Sequence, residues 1–183
     1  MRIDVGGVMA HEGVGGRRLD GRIENIRPII PLVPHMADFV REKTAHWPGK
    51  PIYVEDEAEK FAAFKCARAA LASSGTATME LALMGLPTVV AYDMGLMGDM
   101  LMRTMQVPSA VLVNLILDAP AMPEFLQWRC TPQDITPTLQ AMLEDDDVHA
   151  QYGDMLARFA PAMRHEGQKP AERAAAFTLD LAS

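Results

Sequence analysis

The chain has 183 residues, enough for one good-sized domain, and its 49% hydrophobic content can bury a real core. A net charge of −7 argues against nonspecific nucleic-acid binding through a basic surface, and no apolar run reaches the roughly 18 residues that would suggest a membrane span. Two cysteines without CxxC spacing, Cys66 and Cys130, fit a reduced cytoplasmic setting, with a single disulfide as the alternative; the N-terminus carries no signal-peptide core.

Residues 1–27 read as an irregular or atypical N-terminal segment. A short strand over 2–5 is followed by Gly6-Gly7, and a Gly13-Val14-Gly15-Gly16 stretch lacks both the P-loop ending and the dinucleotide spacing. From Pro28 the pattern is regular. A short apolar run over 29–33 contains Pro31, an awkward residue for a central strand. A helix is expected over 36–47, where Met36, Phe39, Val40 and Lys43 follow helical spacing and Pro48-Gly49 stops it. Strands are expected over 52–54, 69–72, 87–92 and 110–113, and helices over 57–68, 77–84 and 96–106. Beyond Asn114 prolines punctuate the chain. A short helix over 123–128 is expected, then helices over 132–143, 148–163 and 170–181, with the acidic run Glu144-Asp145-Asp146-Asp147 as a solvated helix junction.

Apolar strands that alternate with helices predict an α/β fold: a doubly wound, mostly parallel, Rossmann-like sheet, here with extra C-terminal helices. Ligands of such sheets sit beyond the carboxyl ends of the strands. The turn Ser73-Ser74-Gly75-Thr76, the Tyr92-Asp93 turn and Asn114 are all expected there. Ser74 or Thr76 can cap the helix that follows, and its unpaired N–H groups and positive dipole end suit an anion. Glu80 lies one turn further along the same face, placed to accept hydrogen bonds from a sugar's hydroxyls. The plainer reading of this stretch is a capped core helix with one surface glutamate.

Other patterns carry less. The five histidines show neither HxxxH nor HExxH spacing, and no metal set is expected. No GxSxG elbow is present. Met97, Met100, Leu101 and Met105 form a stripe that reads as core or as a greasy surface beside Arg103.

Four pieces in this order resemble the lipid-A-disaccharide synthase family: Ala72-Ser73-Ser74-Gly75-Thr76-Ala77-Thr78-Met79-Glu80-Leu81-Ala82, Gly85-Leu86-Pro87-Thr88-Val89-Val90-Ala91-Tyr92, Val113-Asn114-Leu115 and Pro123-Glu124-Phe125-Leu126-Gln127. Glu57-Ala58-Glu59-Lys60 is similar too, and the likeness runs from Pro28 to the C-terminus. The resemblance implies the C-terminal, donor-binding half of a GT-B glycosyltransferase, with residues 28–183 as the UDP-binding domain and 132–183 as its C-terminal helices. The family transfers acylated glucosamine from UDP-2,3-diacylglucosamine to lipid X, with inversion and without metal or cofactor, forming the lipid A disaccharide phosphate and UDP. Carried over, Ser74, Gly75 and Thr76 would bind the diphosphate and Glu80 the ribose, with Tyr92, Asn114, Glu124 and Gln127 around the donor cleft. Peripheral contact with the inner membrane is expected, since the acceptor is a lipid; nucleic acid is not an expected partner.

Departures from the family pattern qualify this. The Leu-Pro-Gly-Ser-Arg loop, whose Arg meets the donor phosphates, has Gly16-Arg17-Arg18 as its nearest remnant. The stretch over 22–33 is shortened, so a strand expected near the middle of the sheet is missing. Asp93 stands where many members have Arg, and Ser109-Ala110 where many have Tyr-Val. The acceptor site and general base belong to an N-terminal half, so no catalytic residue is assigned and the chain alone is expected to be inactive. Two alternatives stay open: a non-catalytic UDP-binding or interaction module, and another GT-B UDP-sugar enzyme, against which the Pro-Glu-Phe-Leu-Gln piece argues.

Overall fold

The structure is a computed structural model that describes residues 8–12, 26–47, 50–73, 75–93, 95, 108–164 and 170–181. The expected strand over 2–5, the glycine stretch over 13–16, Ser74 and the Met-striped helix over 96–106 lie outside them.

Six strands form one sheet: β1 (Val8–Glu12), β2 (Ile26–Pro31), β3 (Ile52–Val54), β4 (Ala69–Ala72), β5 (Thr88–Tyr92) and β6 (Glu124–Leu126), in the spatial order β3-β2-β1-β4-β5-β6. The pairs β2–β3, β4–β5 and β5–β6 are parallel. Helices α1 (Ala37–Thr44), α2 (Glu57–Cys66) and α3 (Thr76–Leu83) supply the crossovers of an α/β doubly wound fold. Further helices are α4 (Leu112–Leu117), α5 (Pro132–Glu144), α6 (Asp146–Ala157), α7 (Phe159–Ala162) and α8 (Pro170–Leu181).

The middle of the sheet departs from that parallel pattern. β1 runs antiparallel to both neighbours, pairing Met9 with Ile29 of β2 and with Ala70 of β4. Among the described residues β2 and β4 do not pair with each other, and backbone pairing joins the two parallel sets through β1. Its first residue, Val8, pairs with Leu71 near the carboxyl end of β4.

β2 is interior despite Pro28 and Pro31, and the alternation of backbone donors explains how. Leu32 N–H donates to Val54 O at 2.7 Å, so even-numbered residues of β2 face β3 and odd-numbered ones face β1. Pro31 therefore lacks its donor on the β1 side, beyond the last pair there, Met9 with Ile29. Pro28 lacks its donor on the β3 side, before the first pair there, Ile29 with Ile52. Neither proline interrupts a ladder bond.

Strand alternation separates the core by face. Ala70, Ala72 and Val90 pack with Phe64, Leu81, Val113, Met122 and Phe159 on one side. Ala69 and Val89 pack with Phe125, Ile135, Leu139 and Met142 on the other. Ile30, Leu32 and Val40 form a smaller group with Trp47 and Tyr53 packed against it. Burial of these side chains contributes roughly 1.5–3 kcal/mol each for the larger ones.

Local chemistry sets the boundaries. Asp56 caps α2, accepting from Ala58 N–H at 2.8 Å and Glu59 N–H at 3.1 Å. α3 ends on Gly85 at φ 68°, where Gly85 N–H donates to Ala82 O at 3.0 Å and Leu86 N–H to Leu81 O at 3.1 Å, the paired bonds of a Schellman end. The acidic run is a junction: Asp145 caps α6 through the N–H groups of Asp147 and Val148, and Asp146 pairs with Arg68.

Three expected elements are corrected. Residues expected as a strand over 110–113 instead lead into α4, which begins at Leu112. Residues expected as a short helix over 123–128 form β6 and a 3-10 turn, Gln127–Arg129. The apolar runs are too short for periodicity to separate helix from strand, and sheet pairing with β5 decides the second case. The helix expected over 148–163 is also divided, into α6 and α7 at Arg158.

Candidate functional site

β4 ends at Ala72 and α3 begins at Thr76, so the turn between them lies at the carboxyl edge of the sheet. The N-cap of α3 is Gly75, at φ 147°, a backbone conformation that side-chain-bearing residues rarely adopt. Thr76, one of the two expected caps, is instead the first helical residue; Ser74, the other, lies outside the described residues. The hydroxyl of Thr78 donates to Gly75 O at 2.7 Å and the Thr78 N–H to the same oxygen at 3.2 Å. A glycine N-cap has no side chain of its own to lay across the amide groups and positive dipole end of the helix start.

A cleft of about 620 Å³ opens beside this helix terminus. Pro31 and Val54, the last residues of β2 and β3, form part of it, with Leu32, Val40 and Phe64 as apolar floor. Its polar wall comes from the start of α2 and the first two turns of α3: Asp56, Glu57, Lys60, Thr76 and Glu80. Lys60 Nζ lies 3.0 Å from Glu80 Oε2 and 3.9 Å from Glu57 Oε1. The same ammonium sits 4.7 Å from the ring centre of Phe61 and 5.9 Å from that of Phe64, whose rings meet edge to face. The cleft thus combines carboxylate acceptors, an anion-favouring helix terminus and an apolar floor. Among the described residues no group of three or more His, Cys, Asp or Glu could hold a metal ion.

The other sequence-predicted residues fall elsewhere. Asn114 is not at a strand end but buried in α4. Its amide donates to Met122 O at 2.7 Å and to Glu124 Oε1 at 2.8 Å, and its carbonyl accepts from Met122 N–H at 2.8 Å. Glu124 also accepts from the Ser109 hydroxyl and from Ala110 N–H, the latter at 2.9 Å. Asn114 and Glu124 are therefore brought together, bound to each other and to the loop before α4. Tyr92 closes β5, level with Leu126 of β6, and Gln127 follows at φ 53° with its side chain buried. Asp93 lies near Cys130; burial first, and then the Asp93 carboxylate, push that thiol above its ordinary range. Among the described residues of the cleft wall, Thr76 and Glu80 are the predicted site residues; Tyr92, Asn114, Glu124 and Gln127 are not part of it.

Sequence reasoning gave Lys60 no role. Its signal was present in Glu57-Ala58-Glu59-Lys60, but the neighbour that matters, Glu80, is twenty residues away and on another helix.

A doubly wound sheet with a glycine-started helix and a cleft at the carboxyl ends of its strands defines a Rossmann-like α/β domain. Residues 17–177 match the family model for lipid-A-disaccharide synthetase, and the chain belongs to that family. It is 41% identical over 167 residues to the lipid-A-disaccharide synthase of Bradyrhizobium diazoefficiens, covering 91% of this chain and 42% of that protein. It is 35% identical over 181 residues to the enzyme of the same name from Rhodopseudomonas palustris strain HaA2 (98% and 46%), and 37% identical over 163 residues to that of Nitrobacter winogradskyi (88% and 41%). The chain thus spans less than half the length of these curated relatives. No helix among the described residues is long and apolar enough to cross a membrane.

Proposed function

We propose that this chain is the donor-binding half of a lipid-A-disaccharide synthase of GT-B architecture, with residues 28–183 as its UDP-binding domain. The observation that carries the reading is the junction of two features: the start of α3, whose N-cap is Gly75, and the Glu80 carboxylate one turn later, with Thr76 and Glu80 both on the wall of one cleft. The amide groups at Gly75 and Thr76, with Ser74 before them, hold the diphosphate; Glu80 accepts from the ribose hydroxyls. Asn114 and Glu124 brace the loop before α4, and Tyr92 and Gln127 border the donor on the β5–β6 side.

The donor is UDP-2,3-diacylglucosamine. In the complete reaction a hydroxyl of lipid X attacks the anomeric carbon, the bond to UDP breaks with inversion, and a base in the other half takes the hydroxyl's proton. Helix-terminal N–H groups stabilise the charge that builds on the departing UDP, which asks for no cation. The chain alone binds without turnover, because donor, acceptor and base must share one cleft. The lipid acceptor brings the assembled enzyme to the membrane surface.

Calorimetric titration of the full chain with UDP tests this reading. Binding that weakens in Glu80→Ala and in Thr76→Val supports it; a folded wild-type chain that ignores UDP overturns it. The central position of the antiparallel β1 favours a second reading, a UDP-binding module without chemistry. Turnover restored by adding the remainder of a relative's chain would exclude that module.

A further inference from the structure

We infer that Lys60 is a positioning residue for Glu80: it fixes the carboxylate at the cleft wall and neutralises it, so that an anionic ligand can approach. The inference rests on the proposed UDP site. Its basis is geometric. Glu80 stands one turn into α3, and its side chain is 36% exposed, so a lone carboxylate there would be free to swing into solvent. It would also stand within a turn of the helix terminus that receives a diphosphate, repelling it. Lys60 reaches it from α2, with Nζ 3.0 Å from Oε2, and is itself only 22% exposed.

The lysine is held on its own side. Phe61 and Phe64 place ring faces 4.7 and 5.9 Å from the ammonium, and Glu57 offers a second carboxylate at 3.9 Å. An ammonium restrained in this way has little reason to leave the cleft for water, and it shares the Glu80 carboxylate by engaging one oxygen. Two hydroxyls of a ribose can then be read by what remains of that carboxylate's acceptor capacity. Lys60 acts through Glu80 and not on the phosphates, and this separates it from an ordinary phosphate-binding lysine.

The test compares UDP with uridine on the full chain by calorimetry, with Lys60→Met, Lys60→Arg, Glu80→Gln and the Lys60→Met/Glu80→Gln pair. Circular dichroism melts confirm that each variant folds. Loss of Lys60 is expected to weaken UDP about tenfold and uridine several-fold, since both carry the ribose. Lys60→Arg should recover most of the affinity, because a guanidinium can still engage one oxygen. The double variant should bind no more weakly than the poorer single one. A loss confined to UDP would assign Lys60 to the phosphates and overturn the inference, as would wild-type affinity in Lys60→Met or fully additive losses. Failure of the folded wild-type chain to bind UDP would instead remove the proposed site, and this inference with it.

Discussion

Glu80 on α3 and Glu124 at the start of β6 are both partly exposed acids, yet their surroundings use them differently. Glu124 accepts from the Ser109 hydroxyl, the Ala110 N–H and the Asn114 amide, so its oxygens are committed to holding a loop against α4. Among the described residues Glu80 has one ion pair, to Lys60, and it lines a cleft. A carboxylate with three internal donors is a structural tie; one held by an ion pair at a cleft wall keeps acceptor capacity for a ligand. Both glutamates lie in stretches that resemble the family, so the resemblance alone does not separate these roles.

The largest effect that would sharpen this contrast is Asn114→Ala. It strips partners from the Met122 backbone and from Glu124, and it should cost about 2–3 kcal/mol in denaturant unfolding, since buried polar groups are left unpaired. Gly75→Ala comes next: nothing crowds the added Cβ, but φ 147° does, and a loss of about 1 kcal/mol is expected together with weaker UDP binding. Glu80→Gln should change unfolding by less than about 0.5 kcal/mol, because the Lys60 pair is partly solvated, while UDP affinity falls. A Glu80→Gln chain as unstable as Asn114→Ala would erase the distinction.

The smallest effect is kinetic. Cys66 is exposed, whereas Cys130 is less so and its thiol is raised by burial and by Asp93. A raised thiol carries less thiolate at a given pH, so Cys130 should alkylate more slowly than Cys66 at neutral pH, and its rate should keep climbing with alkalinity after an ordinary thiol has levelled off. Asp93→Asn should speed it modestly. Equal rates for the two cysteines under native conditions would contradict the assignment.

Much of the fold could be read from the residues. Ile52–Val54, Ala69–Ala72 and Pro170–Leu181 fall where apolar runs and prolines put them, and the doubly wound α/β class follows from their alternation. The helix–strand exchanges at α4 and β6 were not legible, because segments of three to six residues carry no period of their own and β6 is defined by its register with β5. Of the site, the Gly75 turn and Glu80 were readable as a helix start with an acid one turn on. Lys60 was not, since its meeting with Glu80 depends on two crossovers packing side by side. The role of Asn114 was hidden for a similar reason: a polar residue in an apolar run looks the same whether it faces a ligand or a backbone loop.

The strand that joins β2 to β4 has a consequence for how the molecule opens. A sheet whose two parallel portions are, among the described residues, hydrogen-bonded to each other only through β1 has a seam, and its β1–β4 half closes a loop of more than fifty residues, from Ala10 to Ala69, whereas β4 and β5 are close neighbours in sequence. Amide hydrogens across that seam should exchange as one unit, sooner than those of β5, leaving each parallel portion intact when the middle lets go. The backbone pairing of the sheet thus has one rivet between two plates, and the cleft, lined by Pro31 and Val54 of one and by Thr76 and Glu80 beside the other, lies across that seam.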